Sequence, residues 1–471
     1  LNAPLTSAIE ERQLRDAAGA VMTVNISAIR RNYRLAKAQV GPDVTVSAVI
    51  KADGYGLGAV RLARLLREEG CKEFFVARAG EAVALRKAMR AENAEQADGV
   101  AVFVLDGLLP HADPQLLIEH KIIPVINSLE QLHAWNDAGR RRGERLPAIL
   151  QFDTGMSRAG LSPAERQTLL ADKDARLSHV KPLLVMSHLA KAGDISRTAD
   201  GRLVPGPATQ KQLAAFNEVR QQFPTLKATL SASTGIFLGP EFHMDMVRVG
   251  GVMHGMAPFD ADSNPLEPVV HVKSHIAQTR QIQEGDQIGY GLNYTAAAPM
   301  LVGVLPIGFA DGVNRVRGGN RPNDPPLSAA VQVGENAHVA PIVGAMSMDM
   351  TTVDLTRVPF EELGAGARVD LVNDRVTQDH FGAQFGTIPA EFEAKVAKRV
   401  HKDFLVEPSD KHNGRPHTLA RPVDATPSPF AWSTEPVAGP AAGDGAVHFS
   451  AQERQATEQA VADARSAQIV P

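Results

Sequence analysis

The chain has 471 residues, 44% hydrophobic and 22% charged, and its 49 basic against 53 acidic side chains leave a formal charge of −4. That length calls for two or three domains, and the even balance argues against the basic surface that nucleic acid or an anionic membrane would need. The single cysteine, Cys71, excludes an intramolecular disulfide and a multi-cysteine metal site, and no apolar run approaches the roughly 20 residues of a membrane helix.

Residues 1–20 mix charge with polarity, lack a signal-peptide apolar core and read as an N-terminal arm. Residues 21–262 then alternate short apolar runs with amphipathic stretches. The runs lie at 44–51, 73–78, 100–106, 122–127, 147–153, 181–188, 228–233 and 246–250, with helical patterns such as 58–69, 80–90, 128–138 and 210–222 between them. Continuous apolar runs suit strands buried on both faces, and intervening helices supply parallel crossovers. Eight such units predict a TIM (β/α)8 barrel. A doubly wound sheet would want a GxGxxG turn after the first strand, and none is there. Residues 263–405 change character. Runs at 268–283, 300–309, 327–333 and 338–353 follow one another with Gly-, Asn- and Asp-rich turns, so an α/β barrel is followed by a mainly-β C-terminal domain with a helix near 389–400. The Pro-, Ala-, Gly- and Ser-rich stretch 406–471 reads as a flexible tail with one helix near 451–467.

Barrel enzymes place their reactive groups at the C-terminal ends of the strands. Lys51 closes the first run and is followed by Asp53-Gly54-Tyr55-Gly56-Leu57-Gly58. Desolvation there would lower the lysine pKa from about 10.4 toward a nucleophilic range. His188 ends the sixth run, Ser233 the seventh, and Arg248 precedes Gly250-Gly251 in the eighth. Loops after the last two strands commonly cradle a phosphate with backbone N–H groups and a hydroxyl. Alone, each of these is more often a surface charge, a structural hydrogen bond or a turn. Their joint placement on one rim favours a site.

Six segments in order carry a resemblance to the alanine racemase family: 49–56, Phe152-Asp-Thr-Gly-Met-Ser-Arg158, Arg248-Val-Gly-Gly251, Ile288-Gly-Tyr-Gly291, 306–312 and Ser347-Met-Asp349. The match spans roughly residues 21–405. The resemblance implies a cytoplasmic isomerase that uses pyridoxal 5'-phosphate (PLP) and makes D-alanine, a cell wall precursor, from L-alanine. It implies that Lys51 binds PLP covalently and that Tyr55, Ser233, Gly250 and Gly251 hold the phosphate. Arg248, buttressed by His188, would face the pyridine nitrogen. Lys51 and Tyr290 would be the two bases, and Arg158 and Met348, supported by Asp349, would hold the substrate carboxylate. Tyr290 and the Met348-Asp349 loop would enter from a partner's β domain, which implies a head-to-tail homodimer with shared sites. No metal, nucleic acid or membrane has a place in this reading.

Four positions depart from the family's usual pattern. Gln151 stands where many relatives carry a carbamylated lysine, Phe309 where a tyrosine often lines the entrance, Lys398 near a phosphate-binding tyrosine, and His254 in place of an aromatic near the eighth strand. A serine or broad-specificity racemase is the alternative within the class. A PLP-dependent decarboxylase of the same fold type would call for an acid at the place of Arg248 and a reactive site cysteine.

Overall fold

In the structure, a computed structural model, the described residues are 8–315, 330–336, 338–363, 366–395, 399–407, 411–412, 415–416 and 426–437. The eight apolar runs form strands at Thr45–Val49, Glu73–Val76, Ala101–Val104, Ile123–Ile126, Glu144–Gln151, Val180–Met186, Lys227–Ala232 and Met246–Val249. Neighbours pair in parallel, the first also with the eighth, and the fifth with the sixth, which closes the barrel. Inward side chains such as Phe75 and Phe103, stacked at 4.5 Å, fill the interior with Val49, Ile123, Met186 and Met246. Outside, helices Ala59–Glu68, Ala79–Glu92, Leu129–Arg142 and Pro207–Gln222 return the chain between strands. Leu129–Arg142 and a further helix, Pro163–Ala171, start on side-chain caps. Ser128 takes the Gln131 N–H, and Ser162 and Glu165 form a reciprocal capping box.

The C-terminal domain is built on a six-stranded sheet with the order His338–Pro341, Ala330–Val333, Arg368–Val372, Val270–His275, Ala20–Asn25, His401–Leu405. The strand Ala20–Asn25 therefore belongs here and not to the barrel domain, which corrects the boundary expected at residue 21. It pairs antiparallel with Val270–His275 and parallel with His401–Leu405. Its alternation, with Ala20, Met22 and Val24 buried, is that of a sheet with one solvated face, unlike the continuous barrel runs. The strand Arg368–Val372 was not foreseen. The expected 389–400 helix is Pro389–Lys395, preceded by a second short helix, Gln378–Gln384, and the chain re-enters the sheet at His401. No helix among the described residues is long and apolar enough to cross a membrane.

The expected flexible tail is contradicted over residues 426–435, which lie across the N-terminal ends of the barrel strands. Phe430 is buried in the barrel's interior cluster, with the Lys227 ammonium 5.3 Å from its ring. Ser428 donates to Glu73 Oε1 at 2.6 Å, and Glu435 pairs with Lys181 at 2.9 Å and Arg145 at 3.1 Å. Trp432 meets Trp135 edge-on at 6.3 Å. The surrounding Pro- and Gly-rich composition masks these two aromatic anchors. The helix expected near 451–467 lies outside the described residues. Phe430→Ala should lower the unfolding free energy by about 3–5 kcal/mol, the usual cost of emptying a buried phenylalanine site. Urea titration would check it, and a loss below about 1 kcal/mol would count against a plug packed into the barrel.

Candidate active site

The strand Thr45–Val49 runs into Lys51 through the fully buried Ile50. Ala52, Asp53, Gly54 and Tyr55 then all take left-handed backbone angles, with φ of 53°, 53°, 62° and 55°, and Gly56 follows at 86°. A left-handed turn of L-residues costs of order 1 kcal/mol for each non-glycine member, so the surroundings must impose it. Glu81 does part of this. Its carboxylate accepts the N–H groups of Ala52 at 2.6 Å, Ala77 at 2.8 Å and Arg78 at 3.1 Å. Asp53 Oδ1 accepts the Ala59 N–H at 2.9 Å and ties the turn to the next helix. The strained turn places the Lys51 amine at the barrel mouth and carries Tyr55 inward. The Lys51 pKa is lowered, chiefly by burial and then by the Arg158 guanidinium, with Asp106 and Glu81 partly opposing.

Across the rim, Ser233 and the Gly250-Gly251 turn form one cradle. Ser233 Oγ accepts the N–H of Gly250 at 2.9 Å and of Val252 at 3.2 Å, so its own proton is free to donate. The Tyr55 hydroxyl lies so close over Gly250 that a Cβ there would come within 2.5 Å of it. Only glycine fits. Two hydroxyls and the Gly251 N–H, which the Ser233 hydroxyl leaves unused, are thus the donors a phosphate could meet here.

Arg248 points into the barrel from the eighth strand and is 3% exposed. Nη1 donates to Thr229 Oγ1 at 2.6 Å, and Nη2 to the carbonyls of Ser187 at 2.7 Å and Leu230 at 3.1 Å. His188 Nδ1 lies 3.3 Å from the same Nη2. No carboxylate among the described residues pairs with Arg248, and Nε has no partner there. Burial, then Arg158, pushes its pKa down to about 9, which still leaves it protonated at neutral pH. His188 is pushed down to about 3, first by burial and then by Arg248, Arg158 and Lys51. It is therefore neutral. A histidine so depressed is neutral in both states above its free value near 6.5. As pH falls toward 3, only the unfolded chain takes up the proton, so stability drains over that window. Wild-type protein should lose up to roughly 2–3 kcal/mol more than His188→Gln between pH 7 and 4.5. Equal losses in parallel urea titrations would refute this.

Arg158 sits on the loop after the fifth strand. Asp153 Oδ1 accepts the N–H groups of Gly155 and Met156, both at 2.9 Å, and Oδ2 that of Ser157 at 3.0 Å, fixing the loop. Gln151 is buried beneath it and donates to the Ala159 carbonyl at 3.1 Å, so it holds the loop's backbone and makes no hydrogen bond to the Arg158 side chain. Asp153, Ser157 and Arg158 help line a cavity of about 640 Å³ that extends to Asp106, Asn127 and Gln131.

The structure brings Lys51, Tyr55, His188, Ser233, Arg248, Gly250 and Gly251 to one rim, with Arg158 on a neighbouring loop. Tyr290, Met348 and Asp349 lie elsewhere on the same chain, in the C-terminal domain. Tyr290 is 68% exposed and its hydroxyl has no hydrogen-bond partner among the described residues. Phe309, Met348 and Met350 are exposed with it. Arg399, which sequence reading overlooked, locks two of these loops together. It pairs with the buried Asp311 at 2.6 Å and with Asp349 at 2.7 Å, while Ala310 N–H donates to Met348 O at 3.0 Å. Glu81, Thr229 and Glu393 were overlooked as well. Only a glutamate three residues into a helix hinted at the first, as a capping signal. Lys398 lies outside the described residues.

Comparison with known proteins identifies the family. The alanine racemase N-terminal domain family matches residues 24–258 and the alanine racemase C-terminal domain family residues 269–404. A catabolic alanine racemase of Mesorhizobium japonicum is 38% identical over 389 residues, covering 83% of this chain and 94% of that protein. An alanine racemase of Rickettsia canadensis is 33% identical, covering 81% and 98%. Among solved structures, alanine racemase from Bartonella henselae with covalently bound pyridoxal phosphate superposes with a TM-score of 0.71 at 33% identity, covering 83% of this chain and all of that one. The biosynthetic alanine racemase of Pseudomonas aeruginosa gives 0.68 at 29% identity, covering 82% and 99%. With both family domains matched in order, and the barrel rim furnished as described, the chain belongs to the alanine racemase family.

Proposed function

We propose that this chain interconverts L- and D-alanine by a two-base mechanism, with Lys51 and Tyr290 on opposite faces of the substrate's α-carbon. As a member of its family it is a PLP-dependent amino-acid racemase. The site fits that cofactor. Lys51 offers an amine whose charged form is disfavoured by burial. The Tyr55, Ser233 and Gly250 cradle suits a phosphate, and the free Arg248 Nε–H suits a ring-nitrogen acceptor. Bound there, PLP would supply a conjugated ring that spreads the charge left when the α-proton departs.

The observation that carries the proposal is Arg248, buried among carbonyls, a hydroxyl and a neutral histidine with no acid beside it. A guanidinium donates a hydrogen bond but keeps its proton. The ring nitrogen would therefore stay unprotonated, which limits charge withdrawal and favours return of the proton to carbon. An acid at this place would favour the decarboxylase reading, and the single cysteine, Cys71, is fully buried away from the rim. Lys51 Nζ and the Tyr290 hydroxyl are suited to take and return a proton. Arg158 and the Met348 N–H would hold the substrate carboxylate, with Asp349 and Arg399 bracing that loop.

Tyr290, Phe309, Met348 and Met350 are all exposed, and a head-to-tail homodimer would cover them by presenting Tyr290 to the partner's barrel. Action in the cytoplasm belongs to the same proposal. The reaction is reversible, so the site itself does not set its physiological direction. The test is an optical-rotation assay of the PLP-loaded protein with L-alanine, L-serine and larger L-amino acids. Loss of rotation fastest with alanine is expected. No turnover of alanine would reject the specific function, and comparable turnover of serine or larger substrates would favour a broader racemase with Phe309 as a permissive wall.

A further inference from the structure

Under the Tyr55 ring lies a buried pair that the reaction does not use. His254, in the turn after the eighth strand, and Glu393, in the helix Pro389–Lys395, are 1% and 0% exposed, with Nδ1 and Oε2 2.7 Å apart. Nδ1 and Oε2 meet as an ion pair without hydrogen-bond geometry, and His254 Nε2 and Glu393 Oε1 have no hydrogen-bond partner among the described residues. Burying two ionisable groups with their hydrogen-bonding capacity unfilled is expensive, and apolar residues of similar volume would often serve the fold as well. Such a pair is explained better by position than by stability. The His254 ring lies 4.7 Å from the Tyr55 ring, tilted by 44°. The backbone oxygen of Glu393 occupies the space that a Cβ on Gly56 would need. Gln378 Nε2 donates to the His254 carbonyl at 2.6 Å, and Asp379 Oδ1 accepts the Ala257 N–H at 3.1 Å. The two short C-terminal helices thus clamp both rim loops that build the phosphate cradle.

We propose that His254 and Glu393 are positioning residues: by tying the eighth-strand turn to the helix Pro389–Lys395 at the base of the Tyr55 ring, they hold its hydroxyl over Gly250 as a hydrogen-bond donor to the cofactor phosphate. The inference rests on the PLP reading above. A donor role requires a neutral phenol, and burial, followed by the Glu393 charge, pushes the Tyr55 pKa up to about 12. A phenol is already neutral at pH 7, so the pair's part is the placement of that hydroxyl.

The test measures dissociation constants of PLP and of pyridoxal, which lacks the phosphate, by equilibrium dialysis of full-length protein. Wild type is compared with Glu393→Gln, His254→Phe, Tyr55→Phe and the Tyr55→Phe/Glu393→Gln double variant. Glu393→Gln and His254→Phe should each weaken PLP on the order of tenfold, the scale of one charge-assisted hydrogen bond. Pyridoxal should bind as in wild type, and Glu393→Gln should add nothing once the Tyr55 hydroxyl is gone. Equal losses for PLP and pyridoxal, or additive losses in the double variant, would show a general structural role and overturn the inference. If a single variant fails to fold, the apolar double variant His254→Phe/Glu393→Leu takes its place, with the same phosphate-specific loss expected. Wild type that takes up PLP while all pair variants bind it unchanged would sink this inference alone. Wild type that takes up none would sink the PLP reading as well.

Discussion

Replacing Lys51 with alanine is expected to lower racemisation of alanine at least about 10⁴-fold, because it removes one proton-transfer group and the covalent anchor together. The structure explains why no neighbour can substitute. The amine is delivered by a left-handed turn that Glu81 and Asp53 hold from both sides, and the other cations of the rim are guanidiniums that keep their protons. His188 is occupied beside Arg248. The turn itself should survive the substitution, since its restraints are backbone hydrogen bonds to Glu81 and Asp53 and do not involve the Lys51 side chain. Unchanged circular dichroism with lost turnover is therefore the expected pair of results. Turnover within about 100-fold of wild type would show that another group carries the proton.

Tyr290→Phe should cost about 10²–10⁴-fold in kcat, the range of a missing general acid or base, with little loss of stability because the side chain is exposed and unbonded. Its location sharpens the expectation. If each site joins Lys51 of one chain to the Tyr290 of its partner, two inactive variants can repair each other. Mixing equal amounts of Lys51→Ala and Tyr290→Phe protein under conditions of subunit exchange should restore up to about one quarter of wild-type activity. Half of the dimers would be mixed, and each mixed dimer has one intact site and one doubly damaged site. A site completed within one chain would show no recovery at any ratio. Sedimentation of the wild-type protein would establish the dimer independently.

The barrel was legible because its signal is local. Runs such as Glu73–Val76 and Ala101–Val104 are buried on both faces and almost wholly apolar, and amphipathic stretches lie between them, so eight repeated units announce themselves. The strand Ala20–Asn25 was misassigned for the opposite reason. Its pairing partners lie some 250 and 380 residues away, and nothing nearby says which sheet it joins. The anchor Phe430-Ala431-Trp432 was hidden in the same way, by composition averaged over a segment in which two aromatics do the packing. At the site, Lys51, His188, Ser233 and Arg248 could be placed on the rim from their strand-end positions, whereas Tyr290 and Met348 were named only through the resemblance. The supports could not be placed. Glu81, Asp311, Arg399, His254 and Glu393 act through contacts made only after folding, and a glutamate in a helix looks the same whether it faces water or an imidazole. Gln151 shows the limit in detail. Its departure from the family pattern was visible, but its hydrogen bond to the Ala159 carbonyl was not.

The most direct measurement is to load the protein with PLP, reduce it with borohydride and map the modified peptide by mass spectrometry. A stable pyridoxyl adduct on the Lys51 side chain, absent from Lys51→Ala, is the predicted result. Protein that carries no adduct, or carries it on a different lysine, would contradict the account at its foundation.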